Sequence, residues 1–136
     1  MTTAWDTEIA ARTTWGEARG EGPDGIQAVA SAIINRFRAG KWFSTHTLAG
    51  CCLLASQFSC WNTNDANLPL LLRTDENDIL LALCRDAIQK ALDGLPDDPV
   101  RGATHYYAGG ISAPAWAANA TFCGQVGHHL FFKDVA

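Results

Sequence analysis

The chain has no apolar run near the roughly 18 residues that a membrane-spanning helix needs, so direct insertion into a membrane is not expected. Its opening, Met1-Thr2-Thr3-Ala4-Trp5-Asp6, has neither a basic stretch nor an apolar one, and so carries no mark of a secretory signal. Positive charge is scarce: ten Lys and Arg stand against fourteen Asp and Glu, for a net charge of −4. That excludes the cationic face of a sequence-independent nucleic-acid binder. C-x-x-C and H-x-x-x-H spacings are missing, so zinc-finger chemistry is excluded and no metal or cofactor is expected. Charged residues make up only 18% of the chain and hydrophobic ones 48%, which excludes a disordered polymer.

What remains is one domain, residues 1–136, long enough to bury its own core. Five Trp are many for this length; flat rings suit both flat ligands and small cores. Five Cys (51, 52, 60, 84 and 123) are an odd number. Buried free thiols are the expected state, with a Cys60 bridge to Cys51 or Cys52 the alternative in an oxidising compartment.

Asp6 predicts a helix cap, with the helix running from Thr7 to about Arg19 before Gly20, Gly22 and Pro23 interrupt it. Pro23 suits the first turn of a second helix, in which Ile26, Val29, Ala30, Ile33, Ile34 and Phe37 follow helical spacing up to Gly40. A short helix is expected near Leu48–Ala55. A longer one is expected over Glu76–Asp93, with Ile79, Leu80, Leu83, Ala87, Ile88, Ala91 and Leu92 on its buried face. Beyond Pro99 the texture becomes extended. Strands are expected at Ala103–Ala108, Ala120–Gln125 and His128–Lys133, with Pro114–Asn119 irregular. Helices first and a small antiparallel sheet last make an α+β domain.

The stretch Trp15-Gly-Glu-Ala-Arg-Gly-Glu-Gly22 carries the chemistry. It places Glu17 and Glu21 four apart, on one face if the helix persists. Neither has a cation at helical spacing, and both are expected near a helix C-terminus, which favours the protonated form of a carboxyl. A general acid working near neutrality needs that help. A carboxyl of pKa about 4.3 is roughly 0.2% protonated at pH 7, whereas one of pKa about 6 is roughly 9% protonated. Two exposed glutamates in a polar turn are the plainer alternative.

This stretch, together with Gly25-Ile-Gln-Ala-Val-Ala30 and Ile34-Asn-Arg36, resembles the opening of the SleB-like cell-wall hydrolases, which include the spore cortex-lytic enzymes of germination. Gln57-Phe-Ser-Cys-Trp-Asn62 is similar to a block in one branch of that family. Gly102-Ala-Thr-His-Tyr106, Pro114-Ala-Trp116 and the His128/His129–Phe132 stretch follow in the family's order. The resemblance implies a lysozyme-like or lytic-transglycosylase-like α+β fold. It implies cleavage of peptidoglycan glycan strands between N-acetylmuramic acid and N-acetylglucosamine, with Glu17 as the acid. Glu21 takes a secondary catalytic place or shapes the turn. Gln57, Ser59, Trp61, Tyr106 and Trp116 lie in the family-like blocks and are the candidates for binding sugar. Trp15 is expected to pack beside Glu17 as an apolar wall.

Two carboxylates rising from one face are badly placed to flank a glycosidic bond. A lytic transglycosylase avoids this, because the C6 hydroxyl of the muramic acid attacks and closes a 1,6-anhydro ring. A hydrolytic muramidase of the same fold is the nearest alternative. A cysteine amidase or peptidase using Cys60 or Cys123 with His105 or His129 is a second, and a glycan-binding or virion structural piece a third. The expected partner is the glycan strand, met as a monomer. A phage-type endolysin would start in the host bacterial cytoplasm and reach the wall after a holin-type protein permeabilises the membrane.

Overall fold

A reciprocal cap starts the first helix, α1 (Ala4–Ala18): the Thr3 hydroxyl accepts from the Asp6 N–H, and the Asp6 carboxylate accepts from the Thr3 N–H at 2.9 Å. Asp6 is therefore the third residue of the helix, not its cap, and the helix begins a turn earlier than the sequence predicts. The other oxygen of this buried carboxylate accepts from the Ala49 N–H at 2.9 Å, which ties α1 to the start of α3 (Leu48–Leu53). The computed structural model describes residues 2–43, 46–54, 57–75, 78–94 and 97–136. The expected helix ends at Ala55 and Glu76 fall outside these residues.

Between these elements runs α2 (Gly22–Ala39), with Pro23 in its first turn and Gly40 at its end, as expected. Ile26, Val29, Ala30, Ile33 and Ile34 are all buried, and this helix is the spine of the core. Among the described residues three elements were not legible in the sequence: a 3-10 turn at Ser59–Trp61, the short α4 (Leu68–Arg73) and a 3-10 segment at Ala115–Asn119, expected to be irregular. The last helix, α5 (Ile79–Asp93), is capped by Asp78, whose side chain accepts from the Leu81 N–H at 2.8 Å. It buries Leu81, Cys84, Ala87, Ile88 and Ala91 against α1 and α2. Ile79 is 85% exposed and Leu80 40%, so the expected apolar face is wrong at its first turn. Leu81 and Cys84 hold the inner positions instead.

Gly16 governs one close approach. A Cβ there would stand 2.7 Å from the Cys60 Cβ and 2.9 Å from its sulfur. Only a residue without a side chain lets the Ser59–Trp61 turn lie directly on α1, one position from Glu17. All five cysteines are free thiols.

The sheet comprises β1 (His105–Ala108), β2 (Thr121–Val126) and β3 (His129–Lys133), antiparallel throughout, in the order β1-β3-β2. Tyr106 pairs with Phe131 and His105 with Phe132. Cys123 is an extra residue in β2, since Phe122 and Gly124 pair with the adjacent Phe132 and Phe131. Side chains alternate across the sheet. Tyr106, His129 and Phe131 form one aromatic group, with Phe131 fully buried. His105, Tyr107 and Phe132 form another with Trp116, from the 3-10 segment Ala115–Asn119.

His105 sits between Trp42 and Trp116, with ring centroids at 4.5 and 5.1 Å. Its Nδ1 lies 2.9 Å from the Thr104 hydroxyl. Burial, and then the nearby Arg36 charge, pull its pKa down to about 4. An unfolded histidine titrates near 6.5, so between these values the unfolded chain holds the extra proton. Stability present above pH ~6.5 is therefore lost as pH falls towards 4. The loss is on the order of 2 kcal/mol, the full shift being discounted for the ring's partial contact with solvent. Urea unfolding at pH 7 and pH 4.5 measures it, and a His105→Asn variant should lose much of that pH dependence.

Candidate active site

Glu17 occupies the last turn of α1, where the helix gives out at Arg19-Gly20. Its Oε1 accepts a 2.7 Å hydrogen bond from the Tyr106 hydroxyl, brought from β1 across 89 positions of sequence. Its Oε2 accepts a longer one, 3.3 Å, from the Ser59 hydroxyl on the turn that Gly16 admits. Burial first, and the negative Glu17 next, push the Tyr106 phenol well above its usual range, so it is a proton-bearing donor at neutral pH. The half-buried carboxylate lines a shallow depression of about 390 Å³, bordered by the 16–21 stretch and by His128 and His129.

Glu21 has a different place from the one expected. It stands at the start of α2, not in a continuation of α1, so the end of the helix dipole beside it favours negative charge. Its side chain, only 10% exposed, takes a 2.8 Å contact from Nδ1 of His128 and accepts from the His128 backbone N–H at 3.2 Å. Nδ1 of His129 lies 3.0 Å from its Oε1. Both histidines come from the β2–β3 hairpin, more than a hundred positions away. Local spacing could not reveal them.

Of the sugar-binding candidates, Ser59 and Tyr106 reach the acid, and they do so as hydrogen-bond donors to it. Gln57 does not: its Nε2 donates to the Trp42 carbonyl at 3.2 Å and its own carbonyl accepts from Arg36. Trp61 donates from Nε1 to Thr13 Oγ1 at 2.8 Å and lines a separate apolar depression with Trp5, Ile9 and Leu71. Trp116, from the 3-10 segment, packs on the face of the sheet opposite Tyr106. Trp15 is buried in the core with the Arg19 guanidinium 4.3 Å over its ring, and the ring that is hydrogen-bonded to Glu17 is Tyr106, which packs on His129.

Sequence reasoning missed Arg36. It is 6% exposed, yet it donates to the Thr104 carbonyl at 2.7 Å and the Gln57 carbonyl at 2.8 Å, with its guanidinium 4.5 Å over the Phe58 ring. One buried cation thus anchors both segments that deliver donors to Glu17.

A cysteine–histidine pair is not assembled among the described residues. Cys60 is fully buried with its sulfur 3.8 Å from the Thr13 carbonyl, and burial pushes its thiol far up, away from thiolate. The Cys123 sulfur faces the carbonyls of Thr121 and Arg101. The side-chain neighbour of His105 Nδ1 is Thr104, and that of His129 Nδ1 is Glu21.

A helical core, a small antiparallel sheet after it, and an acidic side chain at their seam define the lysozyme-like class of fold. Two solved structures share this one: the catalytic domain of the Bacillus cereus SleB protein (TM-score 0.75, 22% identity, 98% of this chain and 93% of that one) and that of a germination-specific lytic transglycosylase SleB from Bacillus anthracis (0.72, 24%, 96% and 96%). The chain belongs to the cell wall hydrolase family, whose model matches residues 20–132 and so begins just after Glu17. Among curated proteins it is similar to the spore cortex-lytic enzymes of Oceanobacillus iheyensis (28% identical over 128 residues, 94% of this chain) and Halalkalibacterium halodurans (29% over 126 residues, 93%). It spans 41% and 34% of their respective lengths.

Proposed function

We propose that this chain cleaves the glycan strand of peptidoglycan between N-acetylmuramic acid and N-acetylglucosamine, as a lytic transglycosylase with Glu17 as its only working carboxyl. The observation that carries this reading is the unequal state of the two glutamates. Both line the depression, but the Glu21 carboxylate is enclosed by two histidines and a backbone N–H, whereas that of Glu17 meets only the hydroxyls of Tyr106 and Ser59. A second carboxylate to hold a sugar cation or activate water is thereby withdrawn. An attacking hydroxyl already carried by the substrate removes the need for one.

The roles follow from the two contacts of Glu17. Tyr106 occupies Oε1 with a short bond, so Oε2, which has only the longer contact to Ser59, carries the transferable proton. That proton goes to the bridging glycosidic oxygen as the bond to the anomeric carbon breaks. The carboxylate left behind accepts the proton of the muramic C6 hydroxyl as its oxygen closes on the same carbon. Holding the attacking group within the substrate supplies much of the rate.

The products test the mechanism. Mass spectrometry of digested sacculi should show 1,6-anhydro-muramic ends. Products one water heavier would instead make this a hydrolytic muramidase. For setting, we take phage-endolysin-type lysis behind a holin-type membrane lesion. A net charge of −4 gives no steering towards an anionic envelope, which favours delivery from inside. In the same assay, intact cells should remain turbid until they are permeabilised.

A further inference from the structure

The hairpin that closes over Glu21 contains a group with no part in the proton transfers of Glu17. His129 lines the same depression as Glu17 and is 11% exposed at its side chain. Its Nδ1 is buried and makes no well-aligned hydrogen bond, although it stands 3.0 Å from Glu21 Oε1. The ring edge packs on Tyr106 with centroids 5.0 Å apart, and Tyr106 is the donor to Glu17.

The hairpin is shaped for this contact. Gly127 has φ +58°, and a Cβ there would stand 3.0 Å from Glu21 Oε2. A side chain at that turn would be strained in the backbone and pressed against the carboxylate. The main chain therefore passes close enough for its next two residues to enclose Glu21.

Resting on the proposed glycan cleavage, we infer that Glu21 is a positioning residue for His129, and that His129 offers a bare Nε2 to a hydroxyl of the bound glycan. A carboxylate beside Nδ1 favours the tautomer with its proton there. A neutral ring in that tautomer leaves Nε2 as an acceptor facing away from Glu21. The ring is neutral near pH 7. Burial lowers its pKa, the Glu21 and Glu17 charges oppose that, and His128 adds to the lowering. Arg19 on the rim of the depression and Tyr106 with Arg36 behind it complete the polar surroundings. Protonation would turn the acceptor into a donor, so activity should rise with pH through the His129 titration, below 6.5.

The test uses the whole chain and stem-free glycan strands released from sacculi. His129→Gln should lower kcat/KM about tenfold, the value of one substrate hydrogen bond, and should flatten the acid limb of its pH profile. Full kcat/KM with an unchanged acid limb would overturn the inference. A structural role alone would lower stability and leave the limb in place. Should His129→Gln not fold, nitrogen NMR of the parent decides: an Nδ1–H tautomer is expected, and an Nε2–H tautomer would overturn the proposal. Binding of strands to Glu17→Gln, which does not turn them over, should shift the His129 Nε2 resonance, and no shift counts against it. Activity surviving in Glu17→Gln would end the glycan-cleavage reading itself. An inactive Glu17→Gln beside a fully active His129→Gln would end only the role of His129.

Discussion

Glu17→Gln should abolish clearing of a sacculus suspension, with turnover down ~10³-fold or more, the range expected for removing a general acid. The amide oxygen can still accept from Tyr106 and the amide NH2 can donate to the Ser59 hydroxyl oxygen, so the variant should fold and unfold in urea like the parent. What it loses is the proton. Glu21→Gln should lose less, because that carboxylate acts through His129 and not on the sugar. A Glu17→Gln protein that clears sacculi at the parent rate would remove the basis of the proposed chemistry. Equal losses in the two variants would overturn the ranking of the glutamates.

The largest stability effect is expected at Arg36. Its guanidinium is buried and donates to the carbonyls of Thr104 and Gln57. Arg36→Met retains apolar bulk over Phe58 but leaves two carbonyls without their donor. At ~1–3 kcal/mol for each buried polar group left unsatisfied, the loss should be about 3 kcal/mol. It should also reach the active site. Thr104 is two residues from Tyr106 and Gln57 two from Ser59, so both donors to Glu17 lose their anchor. Turnover at a temperature where the variant is still folded should fall about tenfold or more. Arg36→Lys should recover little, since a single ammonium on a flexible stem does not reproduce a rigid fork across two carbonyls. Urea unfolding and initial rates measure the two effects. A loss under 1 kcal/mol would show that Arg36 does not hold the two segments together.

The order of helices and strands was legible because apolar spacing and glycine stops are local signals. Ile26 to Ile34 predict α2 and its buried face, and Gly40 its end. The start of α1 was misplaced because a reciprocal cap reads like a simple one until Thr3 is seen to accept from Asp6. The face of α5 was misread because Ile79 and Leu80 continue the helical apolar pattern beyond the point where α1 and α2 cover it. Glu17 was singled out by the resemblance of its motif to the family's. Its surroundings were not. Tyr106, Ser59, His129 and Arg36 meet there through the packing of the Ser59–Trp61 turn on α1 and through a strand order that no local pattern encodes. Aromatic residues in family-like blocks were equally eligible on paper, and the 3-10 segment then packs Trp116 on the His105, Tyr107 and Phe132 face of the sheet, opposite Tyr106.

That strand order has a consequence for biosynthesis. The strand made last of the three is the middle one, so β1 and β2 have nothing to pair with until the ribosome has produced β3. Until then the tyrosine that steadies the acid has no fixed position, and the histidine beside it does not yet exist. Whatever chemistry Glu17 performs therefore waits on β3, the strand that pairs with Tyr106 and brings His129 beside it.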